Sequence, residues 1–166
     1  MDAEAFDAFY AGSFPRVVGH LYAMCGDLAE AQDCTQEAFV RAWDRRRSLD
    51  QARSPEAWVR TVAWRLAVNR WRRARLALRP PDRAREPLLT TPEPEVAHTA
   101  LVAALRQISP EQRRAIVLYH LCDRSVAEVA EETGVPAGTV KARLSRGRTA
   151  LAVLLGDPRE EEDSHA

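Results

Sequence analysis

Two runs of unopposed cations are the residues in this chain best suited to chemistry with phosphates. Between Glu56 and Asp82 there are seven arginines, at 60, 65, 70, 72, 73, 75 and 79, and no acid; between Glu132 and Asp157 come Lys141, Arg143, Arg146 and Arg148, again unopposed. Over the whole chain 24 basic and 24 acidic residues cancel, so net charge alone gives no reason to expect a polyanionic partner. The segregation does, because it is two-sided. The balancing acids gather at Asp27, Glu30, Asp33 and Glu37 and in the tail from Asp157 to Asp163. A solvated charge run is the ordinary reading of any one such block, but blocks of both signs suggest two kinds of partner.

The remaining reactive side chains are scattered. Cys25, Cys34 and Cys122 form no CxxC pair, and an odd count argues against a disulfide framework. Buried thiols are the favoured reading. His20, His98, His120 and His165 make no HExxH or HxxxH pair, so neither a metal site nor a cofactor is expected. A thiol or metal enzyme would need a convergent base or ligand that the sequence does not offer. The N-terminal residues start acidic, without the basic and apolar blocks of a leader, and no apolar run approaches the roughly 20 residues of a membrane helix. A cytoplasmic protein that is not an enzyme and touches no membrane is expected.

Helical periods must position these charges, and no alternating strand pattern occurs. The fold class expected is all-α: two small helical domains joined by a flexible linker. Residues 1–75 carry helix patterns near 2–24, 27–47 and 55–75, and residues 99–156 carry them near 99–107, 110–121, 125–133 and 136–155. Between them, over 76–98, the period disappears and prolines fall at 80, 81, 87, 92 and 94. Residues 157–166 read as an acidic tail. Three helix starts are explicit: Ser54 before Pro55 and Glu56, Ser109 before Pro110 with Gln112 three residues on, and Ser125 with Glu128 as a second capping box. Each hydroxyl can satisfy a first-turn amide, a contribution of about 1 kcal/mol.

After Ser125 the chain reads VAEVAEETGVPAGTVKARLSRG, a short helix, a glycine at the turn and a second helix opened by Pro136. That is helix-turn-helix spacing, with a generic helical hairpin as the plain alternative. At 100° per residue Val140, Leu144, Gly147 and Leu151 form one apolar stripe. Roughly opposite lie Gly138, Ala142, Ser145 and Thr149, flanked by Lys141, Arg148 and Arg146. Small residues permit close approach to base edges, and long cations reach bases or phosphates. Arg143 sits off this outward face, where phosphate contact suits it better.

The helix after Ser54 has two apolar faces. Trp58, Val59, Val62 and Leu66 share one side; Trp64, Val68 and Trp71 lie near the other, with Arg60. Two readings are open here. Cations interleaved with aromatics suit single-stranded nucleic acid, whose bases stack on rings; equally, Trp64 and Trp71 can pack against the first helix. On the preceding helix Glu30, Asp33 and Glu37 fall within a 60° arc beside Gln36, either a solvated face or a seat for a basic protein.

Three segments in order, AEAQDCTQEAFVRAW from Ala29, SPEAWVRTVAWRLAVNRWRR from Ser54 and SPEQRRAIVLYHLCDRSVAEVAEETGVPAGTVKARLSRGR from Ser109, resemble extracytoplasmic-function sigma factors of the sigma-seventy family, actinobacterial type. The likeness covers nearly everything except the linker and tail. It implies a dissociable initiation subunit of bacterial RNA polymerase reduced to sigma regions 2 and 4. By that resemblance Asp33, Gln36, Glu37, Phe39 and Trp43 match the segment that binds the polymerase clamp helices, and the flap is a second core contact. The loop from Leu49 to Ser54 and the helix bearing Asn69, Arg72 and Arg73 match the part that opens the minus-ten element and captures a non-template base; Arg60, Trp64 and Trp71 join this candidate set. Lys141, Ala142, Ser145 and Arg146 match minus-thirty-five reading positions, with Arg143 and Arg148 beside them. Promoter DNA is thus engaged both as duplex and as single strand. The linker matches the segment threaded through the polymerase cleft, and family members are commonly held by an anti-sigma factor. Trp64 departs from a frequent polar or basic residue, and Asn69 from a frequent aspartate. The competing assignment is a stand-alone helix-turn-helix regulator of the response-regulator type, but residues 1–75 lack the strand and helix alternation of its receiver.

Overall fold

A computed structural model describes residues 1–77 and 96–156, with residues 96–98 described through their backbone alone. The chain divides into two compact units, Met1–Thr91 and Pro92–Ala166. Every described element is helical, as expected. The central linker and the acidic tail lie outside the described residues.

The first unit is built from α1 (Ala3–Cys25), α2 (Leu28–Asp44), the single turn α3 (Arg46–Leu49) and α4 (Pro55–Leu76). Local chemistry fixes the ends. Asp2 accepts from the Ala5 amide at 2.8 Å, and Gly26 closes α1 at φ 74°, donating its N–H to the Tyr22 carbonyl at 2.7 Å. Glycine is the residue that adopts this left-handed cap without a Cβ penalty. Asp27 then caps α2 through the Glu30 amide, and Ser54 caps α4 through the Ala57 amide. The expected single helix over 27–47 is broken at Arg45 (φ −105°, ψ 10°), which hands the chain to α3.

α2 packs against both α1 and α4. Its inner face is mostly small, with Ala31, Cys34, Ala38 and Ala42 buried, and α4 answers with Ala63 and Ala67. Short side chains let helix axes approach closely, while one aromatic group fills the space left at the end. Phe39 sits there, with rings of Phe9, Tyr10 and Phe14 at 5.5, 5.0 and 5.9 Å. Outside this core, Arg16 on α1 grips Glu56 on α4 by two bonds of 3.1 and 3.0 Å. The guanidinium, together with Arg60 and His20, offsets the effect of partial burial and holds the Glu56 carboxyl below its usual range.

The second unit contains α5 (Val96–Leu105), α6 (Pro110–Ile116) continued by a π-helical turn (Val117–Leu121), α7 (Val126–Thr133) and α8 (Ala137–Leu155). α4 therefore runs one residue into the expected linker and α5 begins three residues earlier than the period suggested. α8 is the hub, packing on α5, α6 and α7. Val140, Leu144, Gly147 and Leu151 are its buried residues, the same stripe that the 100° rule marks. At Gly147 a Cβ would meet the Ile116 Cγ1 at 3.0 Å, so the absent side chain sets how near α8 lies to α6. Arg113, 7% exposed, is the buried cation of this unit: its Nε donates to the Leu105 carbonyl at 2.7 Å and its Nη2 to those of Arg106 and Ile108. One guanidinium thereby satisfies carbonyls left over where α5 ends.

Candidate nucleic-acid and partner interfaces

The helix-turn-helix is assembled by three local devices. Ser125 Oγ accepts from the Glu128 amide at 3.2 Å while Glu128 Oε2 accepts from the Ser125 amide at 2.8 Å, the reciprocal capping box. These bonds, led by the Ser125 backbone N–H, hold the Glu128 carboxyl below its usual value. Gly134 ends α7 at φ 69°, and Pro136 opens α8 by accepting from Thr139 and Val140. The turn thus aims α8 with its apolar stripe inward.

What faces away is cationic and small. Lys141, Ser145 and Arg146 are exposed, and Ala142 and Arg143 are half-buried. Arg148 is exposed but engaged: its Nε donates to His120 Nε2 at 3.1 Å, and its guanidinium lies 5.2 Å from the Tyr119 ring centre. Both partners come from the π-helical turn, whose extra residue per turn rotates Tyr119 and His120 relative to a continuous α-helix. Partial burial, then the Arg148 charge, keep the His120 imidazole below its usual pKa, which suits an acceptor nitrogen. α8 carries no acidic residue, so nothing on it opposes a phosphate.

Of the two readings open for this face of α4, burial favours packing at Arg60 and Trp64. Arg60 is 1% exposed and Trp64 9% exposed, so both lie inside the unit rather than on a surface of interleaved cations and rings. Burial accounts for this: the second apolar face of α4 also packs into the unit, whose core holds Val17, Leu21, Met24 and Phe39 as well as the alanines of α2 and α4. Trp71 is half-buried, edge-on to Trp64 at 6.1 Å. Asn69, Arg72 and Arg73 are exposed, so the part of the candidate set open to solvent contracts to the last turns of the helix.

On α2 the acids are held in a network that sequence reading missed. Arg70 of α4 reaches across to Glu30 at 3.4 Å, Asp33 at 3.8 Å and Glu37 at 3.2 Å. Glu37 also receives Arg41, four residues on, at 2.7 Å. Partial burial opposes the charge on Arg70, and Cys34, Glu30 and Glu37 more than offset it, raising its pKa. Beneath, burial pushes the Cys34 thiol far above its ordinary range, with the Glu30 charge adding to the effect; the thiolate needed for nucleophilic or redox chemistry is suppressed. Cys25 is buried as well and Cys122 partly so. Gln36 is exposed beside the acids. Trp43 is 37% exposed with the Arg46 guanidinium 4.1 Å over its ring. Phe39 departs from its implied role at the surface: at 2% exposed it is enclosed in the aromatic cluster, and any effect it has on a partner passes through the packing of α2.

Among the described residues no group of histidines, cysteines and acids is placed to hold a metal ion, and no helix is long and apolar enough to cross a membrane.

The family model for sigma-70 region 2 matches residues 9–76, and that for sigma-70 region 4 matches residues 98–151. The ECF RNA polymerase sigma factor SigL of Mycobacterium tuberculosis is 33% identical over 138 residues, covering 80% of this chain and 78% of that protein. SigW of Bacillus subtilis, another ECF RNA polymerase sigma factor, is 32% identical over 156 residues, covering 82% and 81%. Among solved structures, the sigma factor RpoE from Bartonella quintana, in complex with the anti-sigma factor NepR, is similar with a TM-score of 0.78 at 22% identity, covering 94% of this chain and 99% of that one; at that identity the likeness is one of fold. Two family models in chain order, with relatives above 30% identity across four-fifths of the chain, show that it belongs to the sigma-70 family of RNA polymerase sigma factors, in the extracytoplasmic-function branch.

Proposed function

We propose that this chain directs promoter-specific initiation by a bacterial core RNA polymerase, with its tasks divided between the two units. The second unit lays α8 into the major groove of the upstream, minus-thirty-five element. Lys141, Ala142, Ser145 and Arg146 face the base edges there, and Arg143 and Arg148 contact phosphates. In the first unit the last turns of α4, with Asn69, Arg72 and Arg73 exposed and Trp71 half-buried, engage the opened minus-ten strand, and the loop from Leu49 to Ser54, which precedes the other end of α4, is a second contact with it. Asp33, Gln36 and Glu37, with Trp43, dock on basic clamp helices of the polymerase. The flap of core is the second contact, and an anti-sigma factor is the expected regulator. The chain works in the cytoplasm and supplies binding and strand separation; phosphodiester chemistry belongs to the polymerase, so this protein is not an enzyme.

The observation that carries the reading is α8. One face is buried down to a glycine pressed on Ile116, and the other is exposed, cationic and free of acids, which is the division a groove-reading helix requires. Reconstitution with core polymerase on genomic fragments, followed by mapping of transcript starts, tests it. Discrete starts sharing an upstream element are expected, and starts no different from those of core alone would defeat the reading. Within that assay Arg146→Ala should cost about 1–3 kcal/mol of discrimination at the upstream element. Equal losses on cognate and scrambled duplexes would reassign Arg146 to phosphate positioning.

A further inference from the structure

Three carboxylates on one stripe of α2 would present a strongly acidic face if nothing else were near. They do not, because α4 delivers a cation to them. Glu30, Asp33 and Glu37 are spaced so that successive turns bring them to one side of the helix, and the Arg70 guanidinium lies within 3.8 Å of all three. Arg70 comes from 33 to 40 residues away in sequence, so the pairing depends on the packing of α4 against α2. Arg41, by contrast, is an exposed i,i+4 partner of Glu37 alone, the kind of pair that contributes little and rearranges freely.

We propose that Arg70 is a built-in counter-ion of the polymerase-docking face, which the partner's cations must displace, and that it thereby sets how selective this face is. The inference rests on the reading of Asp33 and Glu37 as that face. With Arg70 and Arg41 in place, three negative charges meet two positive ones, and the residual charge is too small to hold an arbitrary basic surface. A partner wins only by placing its own cations where Arg70 now sits, with several good contacts made at once. The half-exposed position of Arg70 suits this role. Its side chain is 34% exposed, so the ion pairs are worth little individually and water can take the guanidinium when it leaves. A buried counter-ion would be too costly to displace.

The test is binding of fluorescently labelled full-length chain to core polymerase at about 0.05 M and about 0.5 M salt, where screening lengths differ roughly threefold. Arg70→Gln should bind core about two- to fivefold more tightly than wild type at the lower salt, the scale of a partly exposed ion-pair network. That gain should shrink to nothing at the higher salt. Arg70→Lys, which keeps the charge, should stay within about twofold of wild type in both. Circular dichroism melting of each variant accompanies the titrations, since a merely structural role predicts weaker binding with a lower melting temperature. Arg70→Gln binding equal to or weaker than wild type at low salt overturns the proposal, as does a gain shared by Arg70→Lys. Wild-type chain that fails to bind core at all removes the docking assignment itself, and this inference with it.

Discussion

α4 and α8 look alike as sequence: each is a long helix with a run of arginines or lysine and no opposing acid beyond its first turn. In the folded chain they spend their cations differently. α8 turns Lys141 and Arg146 out to solvent and keeps only Arg148 engaged, with His120 and Tyr119. α4 buries Arg60, commits Arg70 to the acids of α2, and leaves Arg72 and Arg73 at its far end. The difference follows from what each helix must cover. α8 is surrounded by short helices that it anchors along one narrow stripe, so most of its circumference is available. α4 closes a three-helix core against α1 and α2 along a broad face that buries Val59, Arg60, Ala63, Trp64 and Ala67. A charge run therefore states an electrostatic potential only after the packing has chosen which of its members remain outside.

The largest effect that would sharpen this contrast is at Phe39. As the centre of the aromatic cluster it should lose about 3–5 kcal/mol of stability on replacement by alanine. All four tryptophans lie between residues 43 and 71, so tryptophan fluorescence follows the first unit alone, whereas far-ultraviolet circular dichroism follows both. Phe39→Ala should lower the fluorescence transition and leave the other component of the dichroism unchanged. Unaltered stability with lost core binding would instead return Phe39 to the surface.

The corresponding site in the second unit is Arg113. Replacing it by methionine keeps much of the apolar stem but strands the carbonyls at the end of α5, at a cost of about 3 kcal/mol. The expected pattern is the reverse of the first: an early dichroism transition with the tryptophan signal in place. A shift of both transitions together would mean that the units do not unfold independently.

These two residues also mark what was legible in the sequence. Caps at Ser54, Ser109 and Ser125, the glycine turn at 134 and the buried stripe of α8 were readable because each depends on residues within one or two turns. The sequence marks helix α4 but does not assign its faces, since a helix with apolar residues on two sides does not say which of them meets a core and which a ligand. The positions of Phe39, Arg60 and Trp64 follow from tertiary packing alone. Arg70 reads in the sequence only as one arginine among seven, because its partners are more than thirty residues away; the acidic stripe on the preceding helix is the hint that points to it. The π-helical turn that supplies Tyr119 and His120 had no signal in the sequence.

The smallest effect concerns that turn. The imidazole of His120 has a folded-state pKa below its ordinary value through burial and the Arg148 charge. Its neutral form is therefore favoured by folding, and between the two values the unfolded chain binds more protons. Its contribution is present above about pH 6.5 and is lost as pH falls through the depressed value. The dichroism transition of the second unit should decline modestly over that interval, and His120→Gln should flatten the decline. An identical slope in the variant would assign the pH dependence to another group.

The division of labour between the units is tested most directly by following two events on one promoter with one variant. In holoenzyme carrying the double substitution Asn69→Ala and Trp71→Ala, fluorescence anisotropy reports closed-complex formation and permanganate reactivity of thymines reports strand opening. Stacking of one base is worth about 1–3 kcal/mol, so closed complexes should form nearly as in wild type while permanganate reactivity falls about tenfold, and premelted DNA should restore much of the loss. Thermal unfolding of the variant is measured alongside, because Trp71 is half-buried against Trp64. A stably folded variant that opens promoters at the wild-type rate would contradict the assignment of opening to the end of α4.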